Sequence, residues 1–243
     1  MLKDSTKWYA SWFDTPYYHI LYKDRDYKEA QQFMDNLTTY LSLGPEETIL
    51  DLACGKGRHS IYLNQLGYNV TGADLSKNSI EYASQFENER LKFRVHDMCQ
   101  PYPEKFDAVF NLFTSFGYFE NEEDNLNTIK AIKSTLSERG FAVIDFMNVT
   151  NVINNLVPEE IKEVEGISFH ISRYVKNNYI HKDITFTDKG QEYSYTERVK
   201  AITLDDFQVY FEKANIQLLD IFGSYQLQKF NKNNSERLIL IFK

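Results

Sequence analysis

The sequence predicts an α/β fold: a Rossmann-like, doubly wound and mostly parallel sheet with an antiparallel β insertion and an N-terminal helical lid. Between residues 46 and 150, short apolar runs alternate with helical segments, which is typical of a parallel sheet covered on both faces. The run "ILDL" leads into a turn that contains Gly55 and Gly57. From about Ile161, polar and apolar residues alternate around "KNN" and "DKG" turns, which indicates an antiparallel ribbon.

The N-terminal segment is predicted to contain two helices. Thr15 followed by Pro16 is typical of a helix start. A second helix is predicted from Asp26, where Glu29 completes a capping-box pattern, to about residues 44–45. We interpret residues 1–44 as a lid, with a hydrophobic plug that packs on the sheet as the alternative. The segment is rich in aromatic residues: Trp8, Tyr9, Trp12, Phe13, Tyr17, Tyr18 and Tyr22.

The other elements follow from the alternation of strand and helix patterns. The predicted strands are "TILDL", "NVTGADL", "LKFRVHD", "FDAVFNLF", "GFAVIDFM", "IQLLDIFGSYQ" and "RLILIF". The predicted helices are "RHSIYLNQL", "SKNSIEYASQFENE", "NEEDNLNTIKAIKSTL" and "TLDDFQVYFEKAN". We therefore expect one domain from residues 45–160 and 201–243, and an inserted β subdomain at 161–200 that covers the substrate site.

Composition limits the kinds of partner. Acidic residues outnumber basic ones by 35 to 27, and no dense basic run is present, which disfavours a nucleic-acid partner. The two cysteines, Cys54 and Cys99, are too few for a disulfide framework and suit a reducing cytoplasm. No apolar stretch is long enough to span a membrane, and the start of the chain does not resemble a signal peptide. Composition leaves the oligomeric state open.

Three acids at the ends of predicted strands indicate the ligand, because ligands of open α/β sheets bind beyond the carboxyl ends of the strands. The dinucleotide fingerprint G-x-G-x-x-G is incomplete, since Ser60 takes the third glycine position. Asp51 would repel a pyrophosphate but attract an ammonium group. Asp74 can accept the ribose hydroxyls, and Asp97 can accept the adenine amino group beside Met98. This pattern suits S-adenosylmethionine, with S-adenosylhomocysteine as the product.

Each of these residues also has a purely structural interpretation. A strand-end aspartate is often only a helix cap, and the two glycines can simply form a strand-to-helix turn. A nicotinamide-dependent oxidoreductase and a non-catalytic adenosyl-binding protein are therefore kept as alternatives.

The motifs "ILDLACGKGRHSIYL", "VTGADLS", "RVHDM" and "FDAVFNLFTSFGYF" together resemble the class I S-adenosylmethionine-dependent methyltransferases. The resemblance covers about residues 46–150 and implies a seven-stranded sheet whose last strand is antiparallel. It implies that Asp51 and residues 53–57 face the methionine part of the cofactor, Asp74 its ribose, and Asp97 with Met98 its adenine. The full set expected to bind the cofactor is Tyr22, Arg25, Asp51, Ala53, Cys54, Gly55, Gly57, Asp74, Leu75, Asp97, Met98, Asn111, Leu112 and Phe113.

A narrower likeness is to glycine N-methyltransferase and related small-molecule enzymes. The segment "LYKDRD" is similar to theirs and implies Tyr22 at the active site and Arg25 at the cofactor carboxylate. "FTSFGYF" and "VIDFMN" resemble their loop after strand four and their strand five, but Met147 stands where an arginine binds the substrate carboxylate. We expect Tyr22 and Tyr118 to be catalytic. The residues expected to bind substrate are His19, Ser115, Phe116, Phe146 and Met147.

The sequence thus predicts a cytoplasmic methyltransferase that transfers a methyl group to N or O of a small molecule. Methylation of RNA or protein is the alternative within this enzyme class. We expect no metal site, because Asp145 and Asn148 lack the spaced acidic partners of a magnesium-dependent O-methyltransferase.

Overall fold

The structure is a computed structural model that describes residues 12–23 and 27–243. These residues form two compact units. The large unit contains residues 27–151 and 202–243, and the small unit contains residues 12–23 and 152–201. Residues 27–44, which the sequence analysis grouped with the lid, belong to the large unit. The cause is burial: Phe33, Met34 and Leu37 lie in the same hydrophobic core as Ile49 and Phe110.

We number helices and strands in chain order along both units. The described helices are α1 Pro16–Leu21, α2 Tyr27–Tyr40, α3 Arg58–Gln65, α4 Lys77–Ala83, α5 Glu122–Thr135, α6 Val149–Asn154 and α7 Leu204–Ala214. The described strands are β1 Thr48–Leu52, β2 Asn69–Asp74, β3 Leu91–Val95, β4 Phe106–Asn111, β5 Leu136–Met147, β6 Glu159–Val164, β7 Ile167–Lys176, β8 Tyr179–Asp188, β9 Gln191–Lys200, β10 Leu218–Phe222 and β11 Arg237–Phe242.

The large unit contains the predicted seven-stranded sheet, in the order β10-β11-β5-β4-β1-β2-β3. Strands β1 to β5 are parallel, and β11 runs antiparallel to both β5 and β10. The central strands are buried on both faces, which is the condition under which parallel sheets occur. Because β1, β2, β3 and β4 point the same way, the turns that follow them meet at one edge of the sheet.

The differences from the sequence prediction include two strand boundaries and one helix. Strand β4 ends at Asn111 rather than Phe113, because Phe113 and Thr114 have φ of 57° and 61°, which no strand residue can adopt. Strand β5 begins at Leu136, directly after α5, rather than at Gly140. Helix α6 was not predicted, because its sequence "VTNVIN" is rich in residues of low helix propensity.

The small unit confirms the antiparallel ribbon as a four-stranded sheet in the order β6-β7-β8-β9. One face of this sheet is apolar and packs against the segment that contains α1, with Trp12 and Leu21 each 1% exposed. Polar contacts add to this packing. Trp12 Nε1 donates to Glu197 Oε1 at 2.8 Å, and the Tyr22 hydroxyl donates to the same carboxylate at 2.7 Å. Lys182 Nζ lies 3.9 Å from Glu197 Oε2 and donates to the Tyr22 hydroxyl. Within this unit the aromatic residues of the described segment 12–23 therefore form part of a hydrophobic core, whereas Trp8 and Tyr9 lie outside the described residues.

None of the helices described at residues 12–23 and 27–243 is long and apolar enough to cross a membrane.

Candidate cofactor site

The turn after β1 has the backbone conformation of a tight ligand-binding turn. Ala53, Gly55 and Gly57 have φ of 65°, 55° and 77°. A Cβ at Gly57 would lie 2.4 Å from Phe93 Cε1, so this position must be glycine for packing as well as for conformation. At Gly55 a Cβ would meet no atom within 4 Å. The turn is therefore packed against the sheet at Gly57 and open at Gly55.

Asp51 is a buried carboxylate at the start of this turn and is 3% exposed. Ser60 Oγ in the first turn of α3 donates to Asp51 Oδ2 at 2.6 Å. Burial raises the pKa of Asp51 from its ordinary 3.8 to about 6; the Ser60 hydrogen bond opposes this rise, and the nearby Asp74 charge adds to it. Burial therefore destabilises the ionised carboxylate, and a neighbouring cation would stabilise it.

Asp74 closes β2 and faces the same turn. Its Oδ2 accepts the Gly55 N–H at 2.8 Å, and its Oδ1 accepts the Ser76 N–H at 2.8 Å. Two backbone donors thus fix the orientation of the carboxylate. A carboxylate oxygen can accept more than one hydrogen bond.

The turn after β3 lies beside the end of β4. Asp97 Oδ1 accepts the Cys99 N–H at 3.0 Å, which fixes the turn. Asn111 Nδ2 donates to the Leu52 carbonyl at 3.0 Å and lies 3.8 Å from Met98 Sδ. The buried Asn111 Oδ1 has no hydrogen-bond partner among the described residues, so an acceptor is left at this edge of the sheet.

Residues 112–117, the post-β4 loop, are held by a buried ion pair. Asp145 Oδ2 accepts the Phe113 N–H at 2.7 Å, and the Asp145 carbonyl accepts the Thr114 N–H at 3.0 Å. Arg237 Nε donates to Asp145 Oδ1 at 2.8 Å, and Arg237 Nη2 donates to Thr114 Oγ1 at 2.9 Å. Burial alone would lower the pKa of Arg237, but the Asp145 carboxylate outweighs it and raises that pKa. Non-glycine residues with such φ cost about 1–3 kcal/mol each, and these bonds offset the cost.

An aromatic cluster adjoins this loop. The rings of Phe113 and His59 are stacked with centroids 4.3 Å apart, and Tyr225 lies 5.6 Å from Phe113 and 4.5 Å from Phe33. Burial raises the pKa of Tyr225, and the nearby Asp145 charge raises it further. The cluster therefore presents π faces and a protonated phenol beside the glycine turn.

Of the other large-unit residues that were predicted to bind cofactor or substrate, some lie at the surface and some in the core. Leu75 is 40% exposed, whereas Leu112 is buried and its carbonyl accepts from Ser115 Oγ at 2.8 Å. The rings of Phe116 and Phe146 are fully buried and contact Phe207 at 5.5 and 5.7 Å. Core packing accounts for the presence of both phenylalanines at these positions. Their binding of a substrate remains a prediction.

Three other residues of the set also lie in the large unit. Met147 is partly buried and pairs with Arg237 across β5 and β11. Tyr118 interacts electrostatically with the same arginine. Burial raises the pKa of the Cys54 thiol well above its usual value, which identifies it as a packed residue rather than a reactive one.

Two predicted residues lie in the small unit. The Tyr22 hydroxyl is engaged by Glu197 and Lys182, and His19 lies in α1, where its ring contacts Tyr18 at 5.5 Å. Arg25 is outside the described residues. The roles of Tyr22, Arg25 and His19 toward a ligand therefore stay predictions from the family resemblance.

Sequence reasoning missed Tyr225 and Arg237, and it did not foresee the contacts of Ser60 and Asp145. Ser60 and Asp145 had local signals, since Ser60 is nine residues after Asp51 at the expected start of a helix and Asp145 lies near the end of a predicted strand. Tyr225 and Arg237 reach Asp145 through the antiparallel return of β11, which no local pattern specifies. Among residues 12–23 and 27–243, no three histidine, cysteine, aspartate or glutamate side chains are grouped as a metal site would require.

Comparisons with known proteins agree with this geometry. Residues 49–140 match the methyltransferase domain family. Over 158 residues the chain is 29% identical to the protein named methyltransferase YqeM of Bacillus subtilis strain 168, covering 63% of this chain and 54% of that one. Over 115 residues it is 30% identical to the glycine/sarcosine N-methyltransferase of Halorhodospira halochloris, covering 44% and 42%. The chain thus spans about half the length of these relatives.

Solved structures match along almost the whole chain. An S-adenosylmethionine-dependent methyltransferase from Clostridium acetobutylicum ATCC 824 superposes with a TM-score of 0.78 at 21% identity, covering 93% of this chain and 95% of that one. The sugar N-methyltransferase KedS8 from Streptoalloteichus sp. ATCC 53650 gives 0.72 at 16% identity and covers 92% of each chain. Together with the sheet order and the domain match at residues 49–140, these superpositions show the fold of the class I S-adenosylmethionine-dependent methyltransferases, which supports S-adenosylmethionine as the cofactor.

Proposed function

We propose that the protein transfers a methyl group from S-adenosylmethionine to a nitrogen or oxygen atom of a small molecule. The observation that carries this proposal is the set of three aspartates, Asp51, Asp74 and Asp97, at or just after the carboxyl ends of three neighbouring strands, together with the left-handed turn after β1. A phosphate-bearing dinucleotide would meet the Asp51 carboxylate, whereas the cofactor proposed here brings an ammonium group.

Each carboxylate fits one part of the cofactor. Asp51 would hold the ammonium group, because its burial makes the bare carboxylate unfavourable and a cation restores it. Asp74, oriented by the Gly55 and Ser76 N–H groups, would accept the ribose hydroxyls. The turn at Asp97 and Met98, with the acceptor Oδ1 of Asn111 beside it, would bind the adenine. The open side of the turn at Gly55 allows close approach of the ligand.

The proposed methyl transfer depends on the alignment of the reacting groups more than on acid–base catalysis. Methyl transfer is an in-line displacement at a sulfonium carbon, and the cofactor supplies the activated methyl group. Preorganised alignment contributes about 7–11 kcal/mol to such reactions. Aromatic faces stabilise a cation by about 0.5–2 kcal/mol each, and the Phe113 and Tyr225 rings provide such faces in the large unit.

The acceptor is proposed to be a small amine or hydroxyl compound. Two of the matched proteins are named for N-methylation, one of glycine and sarcosine and one of a sugar. The acidic composition argues against a nucleic-acid acceptor. Both cysteines are free thiols, which supports a cytoplasmic location.

Calorimetry with a cofactor panel tests the proposal. S-adenosylmethionine and S-adenosylhomocysteine should bind and raise the melting temperature, because a ligand that binds only the folded state stabilises it. Asp74→Ala should weaken binding at least about tenfold, since hydrogen bonds to a charged group are worth about 1.5–3 kcal/mol each. The control Asp107→Ala changes an aspartate at the opposite end of β4 and should leave affinity unchanged. Stabilisation by NADH or FAD alone would contradict the proposal.

The acceptor class is tested separately by incubation with S-adenosylmethionine and pools of amines, amino sugars and hydroxyl compounds. Mass spectrometry should find a product heavier by one methyl group, together with S-adenosylhomocysteine. Turnover on RNA or protein and none on these pools would assign the enzyme to the alternative substrate class.

A further inference from the structure

The ion pair of Asp145 and Arg237, behind the post-β4 loop, makes contacts in addition to those that join β5 and β11. Asp145 and Arg237 lie near the ends of the antiparallel neighbours β5 and β11, where Asp145 is opposite Ile239 and Arg237 is opposite Met147. Asp145 is fully buried, and the Arg237 side chain is 18% exposed. Removing these two charges from water costs free energy, which the attraction between them need not recover in full. The other contacts of the pair therefore need to be considered.

Every further hydrogen bond of this pair to the post-β4 loop goes to two residues. Asp145 accepts the N–H groups of Phe113 and Thr114, through its side chain and its carbonyl respectively. The second arm of the Arg237 guanidinium donates to Thr114 Oγ1. Phe113 and Thr114 are two consecutive non-glycine residues with left-handed φ. Such a conformation persists only where the surroundings impose it, and here the ion pair supplies those bonds.

The conformation of Phe113 decides where its ring lies. The ring stacks on His59, with an interplanar angle of 28°. His59 follows Gly57 by two residues in α3, so this contact joins the post-β4 loop to the turn expected to bind the methionine part. If the φ angle of Phe113 took an extended or helical value, the ring would point away from His59.

We propose that Asp145 and Arg237 are positioning residues that hold residues 113–114 in the left-handed conformation and thereby seat the Phe113 ring against His59, beside the cofactor turn. The ligand named here rests on the proposed function, whereas the loop geometry does not. A merely structural ion pair would stabilise β5 and β11 and leave the Phe113 ring where it is.

Three substitutions separate these two roles. Arg237→Gln removes the positive charge. Arg237→Lys keeps the charge but replaces the guanidinium with a single ammonium group, which cannot donate to Asp145 and Thr114 with the same geometry. Thr114→Val removes only the acceptor of the second arm. The matched control is Arg94→Gln, since Arg94 forms an exposed pair with Glu87 at the other edge of the sheet.

The readout is the ring-proton chemical shift of His59 by NMR, assigned with a His59→Gln variant. A ring stacked at 4.3 Å shifts these protons upfield, and the measurement needs no ligand. We expect Arg237→Gln, Arg237→Lys and Thr114→Val to lose part or all of the upfield shift. We also expect the Kd of S-adenosylhomocysteine to rise about tenfold in Arg237→Gln, which corresponds to about 1.4 kcal/mol. Arg94→Gln should change neither quantity.

The outcomes distinguish this inference from the proposed function. Variants that melt earlier yet keep the His59 shift would overturn the positioning role. If Arg237→Gln does not fold, Arg237→Lys and Thr114→Val decide the question by the same shift. A wild-type protein that does not bind S-adenosylhomocysteine would refute the proposed function, and the His59 shift would still confirm or overturn the positioning.

Discussion

Replacing Asp51 with asparagine should stabilise the ligand-free protein and weaken cofactor binding at the same time. Burial raises the pKa of Asp51 from 3.8 to about 6, and this rise corresponds to about 3 kcal/mol. An acid whose pKa is raised by folding favours the folded state while it is protonated. The stabilisation is complete below about pH 3.8 and is lost as the pH rises through about 6.

At pH 7.5 the wild-type protein therefore carries this cost in full, and the asparagine variant does not. The variant keeps an acceptor for Ser60 Oγ but adds a buried N–H group, for which we allow about 1 kcal/mol. A net gain of about 2 kcal/mol corresponds to a rise in melting temperature of roughly 4–8 °C for a domain of this size. At pH 4 the difference between the two proteins should nearly vanish.

Binding should respond in the opposite direction. Loss of a charged partner worth about 1.5–3 kcal/mol weakens S-adenosylmethionine binding roughly tenfold to 150-fold. The wild-type affinity should itself fall as the pH drops below about 6, since a protonated Asp51 no longer attracts the ammonium group. Thermal melts at pH 4 and 7.5 measure the stability difference, and calorimetric titrations at pH 5 and 7.5 measure the affinities.

Asp107→Asn is the matched control for Asp51→Asn. Burial alone would raise the pKa of Asp107, but hydrogen bonds from the Thr48 N–H and hydroxyl and from Ser137 outweigh it and lower that pKa. This variant should lower the melting temperature at pH 7.5 and leave cofactor affinity unchanged. If Asp51→Asn behaved as Asp107→Asn does, the assignment of Asp51 to the ammonium group would be refuted.

Two further predictions concern packing in each unit. Gly57→Ala should destabilise the protein by about 2–4 kcal/mol in equilibrium urea unfolding, because the new methyl group collides with Phe93 and the residue has a left-handed φ. Gly55→Ala shares the left-handed φ but has open space, so a similar loss there would contradict the steric explanation. Glu197→Gln should weaken the contact of β9 with the N-terminal segment, which a change in Trp12 fluorescence would report. Unchanged fluorescence and proteolytic resistance would show that the carboxylate charge is dispensable there.

The sequence predicted the parallel sheet and the cofactor turn because their signals are local. Asp51, Gly55 and Gly57 lie within seven residues, and their chemistry follows from the strand before them and the helix after them. Asp74 and Asp97 were placed at the same edge because parallel strands share a direction. Asp51 and Asp74 lie at the carboxyl ends of β1 and β2, and Asp97 lies two residues after the end of β3.

The rest depended on contacts between distant segments. Arg237 reaches Asp145 only through the antiparallel return of β11, and their separation of 92 residues carries no sequence signal. The aromatic residues of the N-terminal segment indicated a lid or, as the alternative, a hydrophobic plug, but they did not specify the sheet on which each part of the segment packs. Helix α2 packs on the large sheet, whereas α1 packs on the small one.

The contact of residues 12–23 with β9 has a consequence for how the chain is made. Trp12 and Glu197 are 185 residues apart, so the aromatic side chains of this segment leave the ribosome long before their partners. At about 5–20 residues per second, this interval is roughly 10–40 s. During that time an apolar segment is exposed beside a growing parallel sheet, and contacts of such long range also slow refolding. The small unit therefore cannot complete its core until β9 has been synthesised, and before then the exposed apolar segment makes the nascent protein prone to aggregation.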